Sequence, residues 1–242
     1  GVQCAGGANL ALGVSNDFQF AGIFNKAQGR SRTQVSGVFN SAGNVHGWQL
    51  ATFGNRADTV SGSQFGLINI ADSISGASIG LLNFVKHGHN RITLATSAAF
   101  PVEIIGTLGS RVLHNELSVG WQKTGAHPFW ALGYGLGSYL PLRNWGGINI
   151  TGMAQWVIAG NHLDRNGVLY SAKLDLEIAL TKKLGLFGGL AWQIYGYPDQ
   201  GTRNDGSVEF RPWTGRTHEL DRNNWQVYHW TGWAAGFRYG MK

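Results

Sequence analysis

The sequence predicts an all-β chain in two parts: an N-terminal β-solenoid of 14–16-residue repeats over residues 1–90, then an eight-stranded antiparallel transmembrane β-barrel over residues 91–242. Three observations carry this expectation. A short motif recurs with a fixed step through the first third of the chain. The remainder reads as longer segments that alternate apolar and polar residues. The composition has only 13% charged residues but 37 glycines and ten tryptophans, while no run of 18 apolar residues occurs. Few charges, abundant Gly and aromatics, and hydrophobicity spread by alternation are what membrane-crossing strands require. A transmembrane helix would concentrate that hydrophobicity in one run.

The repeat is read first because a fixed period decides the architecture. Gln19-Phe20-Ala21-Gly22-Ile23-Phe24-Asn25 aligns with Gln34-Val35-Ser36-Gly37-Val38-Phe39-Asn40 and with Gln49-Leu50-Ala51-Thr52-Phe53-Gly54-Asn55. Gln64-Phe65-Gly66-Leu67-Ile68-Asn69 and Ser78-Ile79-Gly80-Leu81-Leu82-Asn83 continue the series, and Gln3 to Asn9 is a degenerate first copy. The closing asparagines step by 16, 15, 15, 14 and 14 residues, and Val45-His46-Gly47, Val60-Ser61-Gly62 and Ile74-Ser75-Gly76 keep the same phase. A unit this short cannot hold a helical hairpin, and Val/Ile/Phe runs broken by Gly, Asn, Asp and Ser read as two short strands and two turns. Stacked units would set Asn25, Asn40, Asn55, Asn69 and Asn83 in one structural column and each Leu or Ile of the motif over the next, a buried column that becomes the core. The asparagine amides would bond turn backbone and one another. The rival geometry, one membrane strand per unit, needs an alternation that Gly66-Leu67-Ile68 and Gly80-Leu81-Leu82 lack.

The repeat stops near His87-Gly88-His89-Asn90, and eight alternating segments follow: roughly 91–100, 101–109, 112–123, 129–140, 147–160, 168–181, 184–196 and 225–241. In the clearest, Val168, Tyr170, Ala172, Leu174, Leu176, Ile178 and Leu180 face one way, while Lys173, Asp175, Glu177 and Thr181 face the other. A period of two with charge on one face places a strand between lipid and a polar lumen. Leu184, Leu186, Leu190, Trp192 and Ile194 repeat the pattern, as do Leu117, Val119 and Trp121. Trp233, Ala235, Phe237, Tyr239 and Met241 share one face of the last segment.

The units of Gln-x-Gly-Leu-x-Asn type ending in Gly80-Leu81-Leu82-Asn83-Phe84, with Phe129-Trp130-Ala131-Leu132-Gly133-Tyr134-Gly135-Leu136-Gly137, resemble a family of bacterial outer-membrane "surface repeat" proteins. The resemblance implies that location and a repeat-plus-barrel fold; it implies no chemistry. Thr52-Phe53-Gly54 departs from the pattern.

Candidate chemistry is sparse. Glu103, His114, Glu116, Lys173, Asp175, Glu177 and Arg238 fall on inferred inward faces. A barrel of eight strands is just wide enough to be filled by side chains. Those groups would therefore compensate one another as a structural lumen network, because unpaired burial is costly. His87 and His89 are two ligands without a third nearby, which favours a boundary turn over a metal site. No Gly-x-Ser-x-Gly elbow or phosphate loop occurs, and His162 and Ser171 are the only residues that suggest a lipid-modifying enzyme. The single cysteine, Cys4, excludes an internal disulfide, and Gly1 reads as the start of a mature or trimmed chain. No metal and no cofactor are expected.

The net charge of +6 does not point to nucleic acid, because Arg111, Arg143, Lys182, Lys183 and Lys242 fall at turns on one rim, suited to lipid phosphates. The segment 198–224 follows the seventh strand as the longest connection; its four arginines face five acidic residues. Short turns on one side and a long loop on the other orient an outer-membrane barrel, with both ends of the strand set on the periplasmic side. The solenoid would then enter from the periplasmic side, capping the barrel mouth or docking a partner. The expected function is a non-enzymatic structural or interaction subunit, in contact with membrane lipid and with a protein partner of an envelope complex. The alternatives are a small barrel enzyme acting on lipid or lipopolysaccharide, and a narrow pore.

Overall fold

The computed structural model describes residues 1–13, 15–124, 127–143, 145–159, 162–198, 210–214, 218–222 and 225–240, and among these there is no helix. By its internal contacts the chain divides into two units: residues 1–90 with 108–115, and residues 91–107 with 116–241.

The first unit is a flattened solenoid of parallel strands. They are β1 (Val2–Ala5), β2 (Ala8–Ala11), β3 (Ser15–Ala21), β4 (Phe24–Ser36), β5 (Phe39–Val45), β6 (Trp48–Ala51), β7 (Gly54–Val60), β8 (Ser63–Phe65), β9 (Ile68–Ile74), β10 (Ser78–Ile79) and β11 (Leu82–Val85). One face pairs β1, β3, the end of β4, β6, β8 and β10, with Gln19, Gln34, Gln49 and Gln64 in register. The other pairs β2, the start of β4, β5, β7, β9 and β11, with Asn9, Asn25, Asn40, Asn55, Asn69 and Asn83 in register. The repeat is thus two strands and two turns per coil, and β4 bends from the Asn face into the Gln face.

The interior is polar. Every Asn amide in the column has at least two acceptors. Asn40 Nδ2 reaches Asn55 Oδ1 at 3.0 Å and the Leu50 carbonyl at 2.7 Å, and Asn55 Nδ2 reaches Asn69 Oδ1 at 2.9 Å and the Phe65 carbonyl at 2.8 Å. The glutamines form a second ladder running the opposite way: Gln49 Nε2 donates to Gln34 Oε1 at 2.7 Å, and Gln64 Nε2 to Gln49 Oε1 at 2.8 Å. Gln49 also crosses the interior to the Arg56 carbonyl at 3.1 Å, tying the two faces together. Each buried amide is satisfied, which is the condition for burying it at all.

Only small or short apolar groups share this narrow space: Ala27, Ala42, Ala57, Ala71, Val45 and Val60. The Ile, Val, Phe and Leu residues of the motif stack as expected but stand outside. Ile23, Val38, Phe53, Leu67 and Leu81 form one exposed column at the turn after the Gln strands, beside the outward column Phe20, Val35, Leu50, Phe65 and Ile79. Coils approach so closely at the other turn that a Cβ on Gly62 would lie 1.9 Å from the Gly47 carbonyl oxygen. Only glycine fits there. Residues 108–115 close the last coil, where Asn83 Nδ2 donates to Asn115 Oδ1 and Asn115 Nδ2 to the Gly80 carbonyl.

The second unit is a closed antiparallel barrel. Its strands are β12 (Arg91–Ser97), β13 (Val102–Gly109), β14 (His114–Thr124), β15 (His127–Leu142), β16 (Gly146–Ala159), β17 (His162–Ala179), β18 (Leu184–Pro198), β19 (His218–Arg222) and β20 (Trp225–Gly240). Eight of them form the cylinder, which closes where β12 pairs β20 from Arg91↔Gly240 to Ser97↔Ala234. The ninth, β19, is a difference from the sequence expectation: part of the 198–224 connection pairs with the start of β20. Arg111, Arg143, Lys182 and Lys183 are exposed in turns, and Arg143 adopts a left-handed conformation (φ 53°). Met241, Lys242, residues 199–209 and Arg216 lie outside the described residues.

Alternation is strict on β15 to β18. Leu174, Leu176, Ile150 and Leu190 are exposed, whereas Lys173, Asp175, Glu177, Asn149 and Gln193 are buried. The barrel is therefore inside-out relative to a soluble domain.

Candidate functional site

The lumen is the place in this unit where chemistry-bearing side chains meet, and it is layered. At the rim where β12 begins and β20 ends, β12, β17 and β20 bring Arg91, Glu177, Asp175 and Arg238 together. Arg238 Nη2 donates to Asp175 Oδ2 at 2.7 Å and Arg238 Nη1 to Glu177 Oε2 at 3.2 Å. Arg91 Nη1 also donates to Glu177 Oε2. The two guanidinium groups lie over aromatic faces, Arg238 at 4.0 Å from the Phe187 centroid and Arg91 at 4.7 Å from that of Tyr139. Glycines make the room: a Cβ on Gly189 would lie 2.5 Å from Asp175 Oδ1, and one on Gly185 would lie 2.8 Å from Glu177 Oε1.

One layer deeper, Lys173 Nζ donates to Glu103 Oε2 at 3.3 Å. Gln155 Nε2 donates to the other oxygen of Glu103 at 2.8 Å and to Ser118 Oγ at 3.0 Å. Glu116 Oε1 accepts from Thr151 Oγ1 at 3.2 Å and from Asn149 Nδ2 at 3.4 Å. Four carboxylates thus share the lumen with three cationic side chains. Each carboxylate described here has a hydrogen-bond donor; three are paired with cations and Glu116 is held by the neutral donors Thr151 and Asn149.

Beyond this lies an apolar plug. Phe100, Phe129, Tyr195, Tyr197, Leu169, Val157 and Trp230 form one buried cluster, and Phe210 reaches it from the long connection. The Phe210 ring lies 4.8 Å from Tyr195, 5.5 Å from Phe100 and 5.6 Å from Phe129. Gln122 Nε2 donates to the Arg211 carbonyl at 3.0 Å and Thr214 N–H to the Ala98 carbonyl at 3.1 Å, pinning residues 210–214.

Of the seven residues the sequence assigns to the lumen network, Glu103, Glu116, Lys173, Asp175, Glu177 and Arg238 line the layers just described, all buried. His114 is buried too, but in other company: its ring packs 5.1 Å from that of His89, within the first unit. His87 is exposed in the turn that follows β11. The alternation missed Arg91, whose place at the very start of a strand gave no facing signal, and Phe210, a lone aromatic in a polar connection.

No family model, curated protein or solved structure matches the chain. The resemblance to outer-membrane surface-repeat proteins therefore rests on its motifs alone.

Ser171 lies in the lumen and accepts a hydrogen bond from Gln193 Nε2 at 3.3 Å. The His162 side chain lies outside the described residues; its backbone pairs Ala159 while Ser171 pairs Met153, six residues further along β16, so the two backbones are about 20 Å apart at strand rise. These two residues cannot form one catalytic pair. Among the described residues, no group of three His, Cys, Asp or Glu side chains is arranged to hold a metal ion.

Proposed function

We propose that the chain is an integral bacterial outer-membrane protein whose lumen is a packed structural core, and that it serves as a non-enzymatic structural or interaction subunit of the envelope. One observation carries the reading. The barrel strands turn Glu103, Glu116, Lys173, Asp175, Glu177 and Arg238 inward, while Leu94, Ile104, Leu132, Ile150, Leu174 and Leu190 stand 53–64% exposed outside. Soluble monomers rarely expose contiguous apolar patches beyond a few hundred Å². A belt around eight strands needs a hydrocarbon solvent, and a lipid-facing apolar band around a polar interior meets that need.

The layered lumen supports a closed interior over a conducting one. Salt bridges fill one end, amides and hydroxyls the middle, and the Phe210 cluster the other. Under this reading the short basic turns face the periplasm and the 198–224 connection faces outward, which puts the repeat region in the periplasm. Protease added to intact cells tests that topology. Cleavage within 198–224 with residues 1–90 protected is expected; early cleavage at Arg30-Ser31-Arg32 would overturn it. For the subunit role, solubilisation in mild detergent should bring a stoichiometric protein partner with the chain. Recovery of the chain alone from its native membrane would count against that role.

A further inference from the structure

The solenoid segregates its charge completely. Every Asp, Lys and Arg between residues 1 and 90 falls on the Asn face or at the corner that leads from it into the Gln face, where Asp17 sits near the start of β3 level with Arg32 in β4: Asp17, Lys26, Arg30, Arg32, Arg56, Asp58, Asp72 and Lys86. The Gln face and the turn after it carry none. Their outward side is instead the two apolar columns described above, joined by Trp48; Phe18, at the corner, lies under the Arg32 guanidinium and marks the edge of this surface. Trp48 is 58% exposed, Ile23 57% and Phe53 54%. Six strands build this face, so at about 4.8 Å per strand it runs about 24 Å along the solenoid. The interior cannot take these side chains, because the Gln and Asn ladders and the alanine column already fill it.

We infer that this uncharged face and edge form a lipid-docking surface, by which the repeat region lies partly embedded in a membrane leaflet. The inference rests on the membrane reading of the barrel. Three features favour lipid over a protein partner. The surface offers no charge with which to select a protein. Its phenylalanines and Trp48 suit the boundary between acyl chains and headgroups, where aromatic side chains concentrate. Lys26 and Arg56 stand outward in one column of the Asn face, past the Phe24–Phe39 column that follows the apolar turn, placed to meet lipid phosphates. Interfacial elements of this kind bury an apolar side in the headgroup and acyl boundary and add electrostatic attraction to anionic lipid.

The test uses the full chain, with Cys4→Ser as background, reconstituted in vesicles of phosphatidylethanolamine and phosphatidylglycerol. Nitroxide labels are attached through Val38→Cys, Leu50→Cys or Leu67→Cys on the docking surface, Asp58→Cys or Ser73→Cys on the polar side, and Leu174→Cys on the barrel exterior. Oxygen and a water-soluble nickel complex are the two collision probes. The docking-surface sites should show several-fold lower nickel accessibility than the polar-side sites and higher oxygen accessibility. Nickel accessibility equal at both sets, with the Leu174→Cys label shielded from nickel and open to oxygen, would overturn this inference and leave the barrel reading standing. A Leu174→Cys label open to nickel would remove the barrel reading, and this inference with it. Docking-surface sites shielded from both probes, with cross-linking to double mass, would replace lipid by a second copy of the chain.

Discussion

Replacing Arg238 by methionine isolates the lumen network. Its guanidinium holds two carboxylates, at 2.7 Å and 3.2 Å, and all three side chains are 3–8% exposed. That burial puts the cluster in the desolvated regime, where removing one partner of an ion pair costs about 3–5 kcal/mol; exposed pairs contribute about 0–1 kcal/mol. Glu177 keeps Arg91 in the variant, so Asp175 is the group left stranded. Lost stacking over Phe187 adds about 0.5–2 kcal/mol. The expected loss for Arg238→Met is therefore about 4 kcal/mol, the lower part of the summed range, because methionine retains contact with the ring. The double variant Arg238→Met/Asp175→Leu should recover at least half, since it removes the stranded charge and leaves Arg91–Glu177 intact. Equilibrium urea titration of the refolded protein in micelles, followed by tryptophan fluorescence, measures both. A loss below about 1 kcal/mol for the single variant would mean that the lumen is hydrated and the packed-core account is wrong.

Three further outcomes follow from the same geometry. Asn55→Ala should destabilise the solenoid by about 2–4 kcal/mol, because it strands Asn40 Nδ2, Asn69 Oδ1 and the Phe65 carbonyl; the exposed Thr59→Ala should change little, and hydrogen exchange of coils on either side distinguishes the two. Leu174→Arg should cost about 2–4 kcal/mol of stability in a bilayer, whereas Lys173→Leu should act through the loss of its bond to Glu103 and be rescued by Glu103→Gln; equal and unrescued effects would mean the facing is wrong. Gly120→Val should loosen the aromatic plug by about 1–3 kcal/mol, because a Cβ there would sit 2.9 Å from the Phe100 ring; unchanged near-ultraviolet circular dichroism and stability would contradict it.

What was legible in the sequence was whatever periodicity carries. The Asn column repeats every 14–16 residues, so its stacking could be read directly. The glutamines recur with equal regularity, but repetition alone does not say which face of a strand is inside. Their burial became visible only with the coil closed and Gln49 bridging to the Arg56 carbonyl. For the same reason Ile23, Val38 and Leu81 read as core residues by their chemistry and proved to be outside. In the barrel, alternation from Val168 to Thr181 gave the facing of three charged residues without ambiguity. Which charge meets which was not legible, because Lys173–Glu103 and Arg238–Asp175 join residues 70 and 63 positions apart. Asn115 and β19 were hidden for local reasons: the first sits between two inward-facing residues, and the second has a single apolar residue, Leu220, among polar neighbours.

The most direct test of the barrel account is the gel mobility of the full chain refolded in detergent, with and without boiling. A closed antiparallel barrel with a salt-bridged and plugged lumen should resist dodecyl sulfate, run compactly and faster when unboiled, and require detergent to stay in solution. Identical mobility before and after boiling, together with full solubility in plain buffer, would contradict the account.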